Sequence, residues 1–269
     1  MGWVVSTSEA ALQQAIVPTT SAAMVDPKRP PKYHAAPIVE AVVELRFASP
    51  STDARAKKAA DWLRSRYRSE EIEQLNQAQI DFMAQKVTFT DDGKVHKLSS
   101  EDLTHLCHIS GKSVAWVERA PYEGWEVFAG RFSEEAPIAL KAINDKPISR
   151  IGLRYVNRID VQPQGGLSHY EEYLNFKIDA GPLLEPTNGY LWQLTKRFED
   201  LELSANVQSA VVEPEIPGMH AFTFDIDVFC DSNVPQQPDV VMAKLEEMRD
   251  LKNRIFEAGI TDKAREQYS

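Results

Sequence analysis

The segment that most constrains this chain is Ser149 to Val161, Ser-Arg-Ile-Gly-Leu-Arg-Tyr-Val-Asn-Arg-Ile-Asp-Val. Side chains alternate across a strand, so Ile151, Leu153, Tyr155, Asn157, Ile159 and Val161 share one face, and Arg150, Gly152, Arg154, Val156, Arg158 and Asp160 the other. The arginines also recur every four residues, as on a helix, but Gly152, the β-branched residues and the flanking Pro147 and Pro163 favour a strand. Such a ribbon packs its apolar face under other elements and leaves three guanidiniums in solvent or in a polar site.

A chain of 269 residues, 43% hydrophobic, can bury a sizeable core. Its net charge of -10 and pI near 5.2 make nucleic acid an unexpected partner, because a duplex-binding surface needs a basic footprint to displace counterions. The two cysteines, Cys107 and Cys230, lie far apart in apolar surroundings, which suits a reducing compartment better than a disulfide framework. There is no run of about 18 apolar residues and no basic start with an apolar h-region. The expectation is therefore a cytoplasmic protein with no membrane partner.

Residues 1–33, rich in small and polar residues and ending in a proline-rich run, read as a flexible lead-in, with Met24 a candidate native start. Alternation predicts a strand from Pro37 to Phe47, and an apolar stripe at Ala56, Ala59, Ala60, Leu63 and Tyr67 predicts a helix over 53–68 capped by Thr52 or Asp53. A polar connection should follow, then a strand over 80–90 ended by an Asp91-Asp92-Gly93 turn. A hairpin turns at Ser110-Gly111-Lys112, and a helix over 122–143 is interrupted by Pro137. Beyond Gln164-Gly165-Gly166, the expected boundary, three antiparallel strands over 190–198, 201–212 and 221–230 precede a helix from Pro238 stopped by Gly259. The predicted class is α+β, antiparallel sheets with helices on one face, built from two similar halves, 34–163 and 167–269, that can also form one continuous domain.

Catalytic signatures are missing: there is no Gly-rich phosphate loop, no nucleophile elbow and no zinc-protease helix motif. In His105-Leu106-Cys107-His108 the residues alternate across a strand, with no second pair at ligand spacing, so no metal site is expected there. The informative conjunction joins Glu40, Glu44 and Arg46 on one face of the first strand to Arg150, Arg154 and Arg158 on one face of the central ribbon. If those strands are neighbours with coinciding faces, they line a phosphate or carboxylate pocket. Asp225 and Asp227 could add carboxylates for a divalent metal. The simpler alternative is a set of cross-strand pairs on a solvated face. Asn157, alone on the apolar face, should be a buried structural amide, and the tryptophans Trp62, Trp116, Trp125 and Trp192 should face the core.

Three stretches support a resemblance: Pro37-Ile38-Val39-Glu40-Ala41 running to Glu44-Leu45-Arg46-Phe47, Tyr122-Glu123-Gly124-Trp125-Glu126-Val127-Phe128, and Arg150-Ile151-Gly152-Leu153-Arg154-Tyr155-Val156-Asn157-Arg158-Ile159. Together they resemble a sporadically distributed bacterial and archaeal family of conserved hypothetical proteins. The resemblance spans residues 32–269 and brings no assigned activity. The family's scattered distribution suggests an accessory, defence or toxin-control role. Glu44-Leu45-Arg46 is also similar to part of the first strand of triphosphate tunnel enzymes, although Val42 interrupts the acidic series and Arg46 stands where that pattern has lysine. The leading functional expectation is a binding or regulatory protein with a protein partner and no cofactor. The alternative is a metal-assisted phosphohydrolase or phosphate-ligand sensor using Arg150, Arg154, Arg158, Arg46, Glu40 and Glu44.

Overall fold

The computed structural model describes residues 33–81, 86–163, 170–179, 181, 183 and 189–269. In chain order they form β1 Ile38–Phe47, α1 Asp53–Leu63, β2 Ser69–Asp81, β3 Lys86–Ser99, β4 His105–Ser110, β5 Ser113–Arg119, α2 Trp125–Ile143, β6 Ile148–Val161, β7 Leu191–Phe198, β8 Leu203–Val212, β9 His220–Cys230, α3 Pro238–Gly259 and α4 Asp262–Tyr268. All nine strands belong to one sheet, in the order β2-β3-β4-β5-β1-β6-β9-β8-β7. Every neighbouring pair is antiparallel. The sheet ends at β2 and β7 and does not close on itself.

The predicted α+β class is the observed one, and the two halves share a plan. In each, the first strand pairs with the last, the strands between start at the outer edge and meander inward, and a long helix follows: β1 with β5 before α2, β6 with β9 before α3. The halves join side by side along β1 and β6, so the expected pair of sheets is a single sheet with that seam at its middle. The anticipated Gln164-Gly165-Gly166 boundary lies outside the described residues, as does the 1–33 lead-in up to residue 32.

The helices pack on one sheet face, α1 against β3 and β4, α2 against β5, and α3 against β6 and β9. That face carries the alternating apolar set of each strand: Ala41, Val43, Leu45 and Phe47 from β1, Ile151, Leu153, Tyr155 and Ile159 from β6, and Phe222, Phe224, Ile226 and Val228 from β9, all buried. Burying each large side chain contributes about 1.5–3 kcal/mol, offset by the entropy of ordering the chain. Thr52 caps α1, its Oγ1 accepting from the Arg55 N–H at 3.3 Å, and Ala56, Ala59, Ala60 and Leu63 turn inward. Asn157 is buried as expected, its Nδ2 donating to the Phe224 carbonyl at 2.9 Å. No helix among the described residues is long and apolar enough to cross a membrane.

Four expectations need correction. The polar stretch after α1 is strand β2, and Asp91-Asp92-Gly93 lies inside β3 rather than ending a strand. Gly93 has φ +94° beside a register shift at Leu75/Asn76, so the glycine serves a β-bulge where a turn was read. The helix over 53–68 stops at Leu63 and tightens into a 3-10 turn, Arg64–Arg66. Trp62 falls outside the alanine stripe and is 42% exposed, with the Lys58 Nζ 4.5 Å from its ring centroid.

Candidate ligand site on the open sheet face

Opposite the helices, the other sheet face carries no helix among the described residues, and there the register decides which charges meet. Across the seam Arg46 pairs with Arg150, Glu44 with Gly152 and Val42 with Arg154, while β9 sets Asp227 beside Arg154 and Phe229 beside Gly152. Ala115 of β5 and Gln193 of β7 line the same cavity although four strands lie between them. At about 4.8 Å per strand a flat sheet would hold them too far apart, so this face is concave. The cavity measures about 340 Å³, and its polar lining comprises Glu44, Arg46, Arg150, Arg154, Gln193, Asn206, Gln208, Asp225 and Asp227.

Arg150 is the anchor. Its NH1 donates to Glu44 at 3.2 Å and its NH2 to Asp227 at 2.7 Å, while the guanidinium lies 4.5 Å over the Phe229 ring. Gly152 makes the berth: a Cβ there would sit 2.4 Å from the Arg150 NH1. Arg154 grips Asp225 bidentately, Nε at 2.9 and 3.1 Å and NH2 at 2.5 Å, and Arg46 donates through Nε to Glu44 at 2.8 Å. Asp225 holds the Arg154 pKa above its usual value, and burial raises that of Asp227 although Arg150 opposes it.

Exposure separates the two signs. The Arg46 and Arg154 side chains are 55% and 48% exposed, whereas Glu44, Asp227 and Asp225 are 22%, 22% and 11% exposed. Carboxylates form the floor and two guanidiniums the rim, and neither the Arg46 NH1 and NH2 nor the Arg154 NH1 has a hydrogen-bond partner among the described residues. Three guanidiniums balance three carboxylates, so the site is neutral as a whole but presents N–H donors at its mouth.

Of the residues singled out from sequence, Arg46, Glu44, Arg150 and Arg154 converge here, with Asp225 and Asp227 as their counter-charges. Glu40 lies outside the cavity, 3.6 Å from Arg119. Arg158 is also apart, bonded to Asp160 at 3.0 Å and to the Glu213 carbonyl at 2.8 Å. Asp225 and Asp227 suit a divalent ion poorly, because each is already engaged by an arginine and no group of three potential ligands occurs among the described residues. Gln193, Asn206 and Gln208 escaped the sequence reading as site residues: on β8 Asn206 and Gln208 alternate with buried Ala205 and Val207, and on β7 Gln193 lies between half-buried Trp192 and exposed Leu194, a pattern equally expected of a solvated strand. No protein-family model matches the sequence, and a search of curated proteins finds no match either.

The berth at Gly152 gives a first prediction. Gly152→Ala pushes the tip of a flexible arginine rather than backbone, so the fold survives within about 1 kcal/mol. Arg150 leaves Glu44 and Asp227, and the pKa of Asp227 rises further once its cation withdraws. NMR titration of the Asp227 carboxyl in the two proteins checks this.

Proposed function

We propose that this chain is a binding protein, a sensor that receives a small anion-bearing ligand on the concave sheet face. The observation that carries the reading is the pair of rim guanidiniums, Arg46 and Arg154, with N–H groups free over a floor of committed carboxylates. Charged hydrogen bonds from arginine to phosphate or carboxylate are the strong, directional kind. The neutral balance of the site disfavours a polyanion, so the ligand carries one anionic group, a phosphomonoester or a carboxylate.

The phosphohydrolase alternative gains no support, since the carboxylates it needs for a metal are held by arginines. The conserved-hypothetical resemblance supplies no activity, so the reading rests on the pocket. We take the protein to act in the cytoplasm, which two free, buried cysteines support, and to pass its signal to a protein partner, which its acidic balance suits.

A ligand bound by the native state alone raises apparent stability by mass action. Phosphomonoesters and carboxylates at millimolar concentration should raise Tm for the native protein, and Arg154→Gln should abolish that rise while leaving unliganded Tm within a few degrees. No rise with any such anion overturns the reading.

A further inference from the structure

The wall opposite the guanidiniums is built of primary amides. Gln193 faces Gln208 across β7 and β8, and Thr195 faces Asn206. The Asn206 Oδ1 accepts from the Thr195 hydroxyl at 2.7 Å, which leaves its Nδ2 unengaged, and the side chains of Gln193 and Gln208 have no hydrogen-bond partner among the described residues. Each free amide offers both donor and acceptor. Together they place hydrogen-bonding groups along a wall of the cavity whose remaining walls carry Arg46 and Arg154.

What this wall lacks is as specific as what it has. Among the described residues no aromatic side chain lines the cavity, and the nearby Phe229 ring is already covered by the Arg150 guanidinium. A nucleobase would therefore have no stacking platform. Among the described residues the apolar lining comprises Val42 and Ala115, with Gly152 beneath, too little for a fatty or aromatic body. At about 340 Å³ the cavity lies near the lower end of ligand-pocket volumes, suiting a body of monosaccharide size.

Resting on the anion-sensor reading, we infer that the ligand is a polyol with one anionic group, a sugar phosphate or a sugar acid. Its anionic group meets Arg46 and Arg154, and its hydroxyls meet Gln193, Gln208 and Asn206. Hydroxyls, like amides, both donate and accept, so adjacent hydroxyls match an amide row, and a bare oxyanion leaves that row unused. A neutral sugar leaves the guanidiniums unused in the same way.

The test is calorimetric titration of the full chain with ribose 5-phosphate, gluconate, ribose, inorganic phosphate and adenosine monophosphate. The expected order places ribose 5-phosphate or gluconate at least tenfold tighter than inorganic phosphate or ribose. Adenosine monophosphate should gain nothing over ribose 5-phosphate, and comparing that sugar phosphate with gluconate tells phosphate from carboxylate heads. Gln208→Leu and Gln193→Leu should each lower polyol affinity severalfold while leaving inorganic phosphate unchanged. Gln208→Ala, checked for folding by circular dichroism, replaces either leucine variant that fails to fold. Polyol affinity unchanged in the glutamine variants, or adenosine monophosphate the tightest of the five, overturns the polyol inference while leaving an anion site intact. Failure of all the anions to bind the native protein overturns the sensor reading with it.

Discussion

Lys252→Met makes this protein more stable at pH 7, by about 3 kcal/mol. Lys252 sits on α3 with 8% of its surface exposed, and no hydrogen-bond or ion-pair partner for its amine occurs among the described residues. Burial, with the nearby Arg249 charge adding to it and Glu257 partly opposing it, pushes its pKa down to about 7. Against an ordinary value of 10.5 that gap corresponds to about 5 kcal/mol. The Tyr155 ring, 4.0 Å from the amine, favours the charged form and returns about 1–2 kcal/mol of it. The sign follows from proton counting. Between about pH 7 and 10.5 the unfolded chain carries a proton on Lys252 that the folded chain does not, so stability rises with pH through this window. Below about pH 7 the whole deficit is present, and above 10.5 it vanishes. Urea unfolding of both proteins at pH 7 and pH 9.5 should show methionine ahead at the lower pH and the two converging at the higher. A methionine variant no more stable than the parent at pH 7 refutes the account.

The second large effect is a loss. Glu135 of α2 is buried and accepts, through one oxygen, the Tyr67 hydroxyl at 2.7 Å and the Trp116 indole N–H at 3.0 Å. Arg131 closes the group, donating to the Tyr67 hydroxyl at 3.2 Å and to the Val117 carbonyl at 2.8 Å. Glu135→Ala strands the indole N–H, weakens the Tyr67 pairing and removes the negative charge facing Arg131. The expected cost is about 3–5 kcal/mol. Glu135→Gln keeps an acceptor oxygen for both donors and should cost about 1–2 kcal/mol. Urea unfolding followed by tryptophan fluorescence separates the two variants; equal losses would mean that the hydrogen bonds carry none of the effect.

These two residues also mark where the sequence ceases to be legible. Alternation revealed β1, β6 and β9, because each has one face under helices and one in the open, and the helical stripes revealed α1, α2 and α3 for the same reason. It missed β2, whose Ser-Glu-Glu-Ile-Glu-Gln start carries almost no apolar signal and whose extent is set by pairing with β3. Glu135 and Lys252 occupy inward positions on their helices, but a lone charged residue in an amphipathic stripe reads as a boundary of the stripe, and only packing shows that it is buried. The site was half legible. Arg150, Arg154, Glu44 and Arg46 share faces by parity alone, whereas their convergence with Gln193 and Gln208 depends on strand order and on sheet curvature, both set by distant pairings.

The seam between β1 and β6 has a consequence for how the pocket is owned. Glu44 and Arg46 come from one side of that join, and Arg150, Arg154, Asp225, Asp227 and the amides from the other. Neither half carries a complete set, so recognition is a property of their union: a small rotation of one half against the other would spread or pinch the arginine tips. An occupant held by both would act as a rivet across the joint, tightening the middle of the sheet.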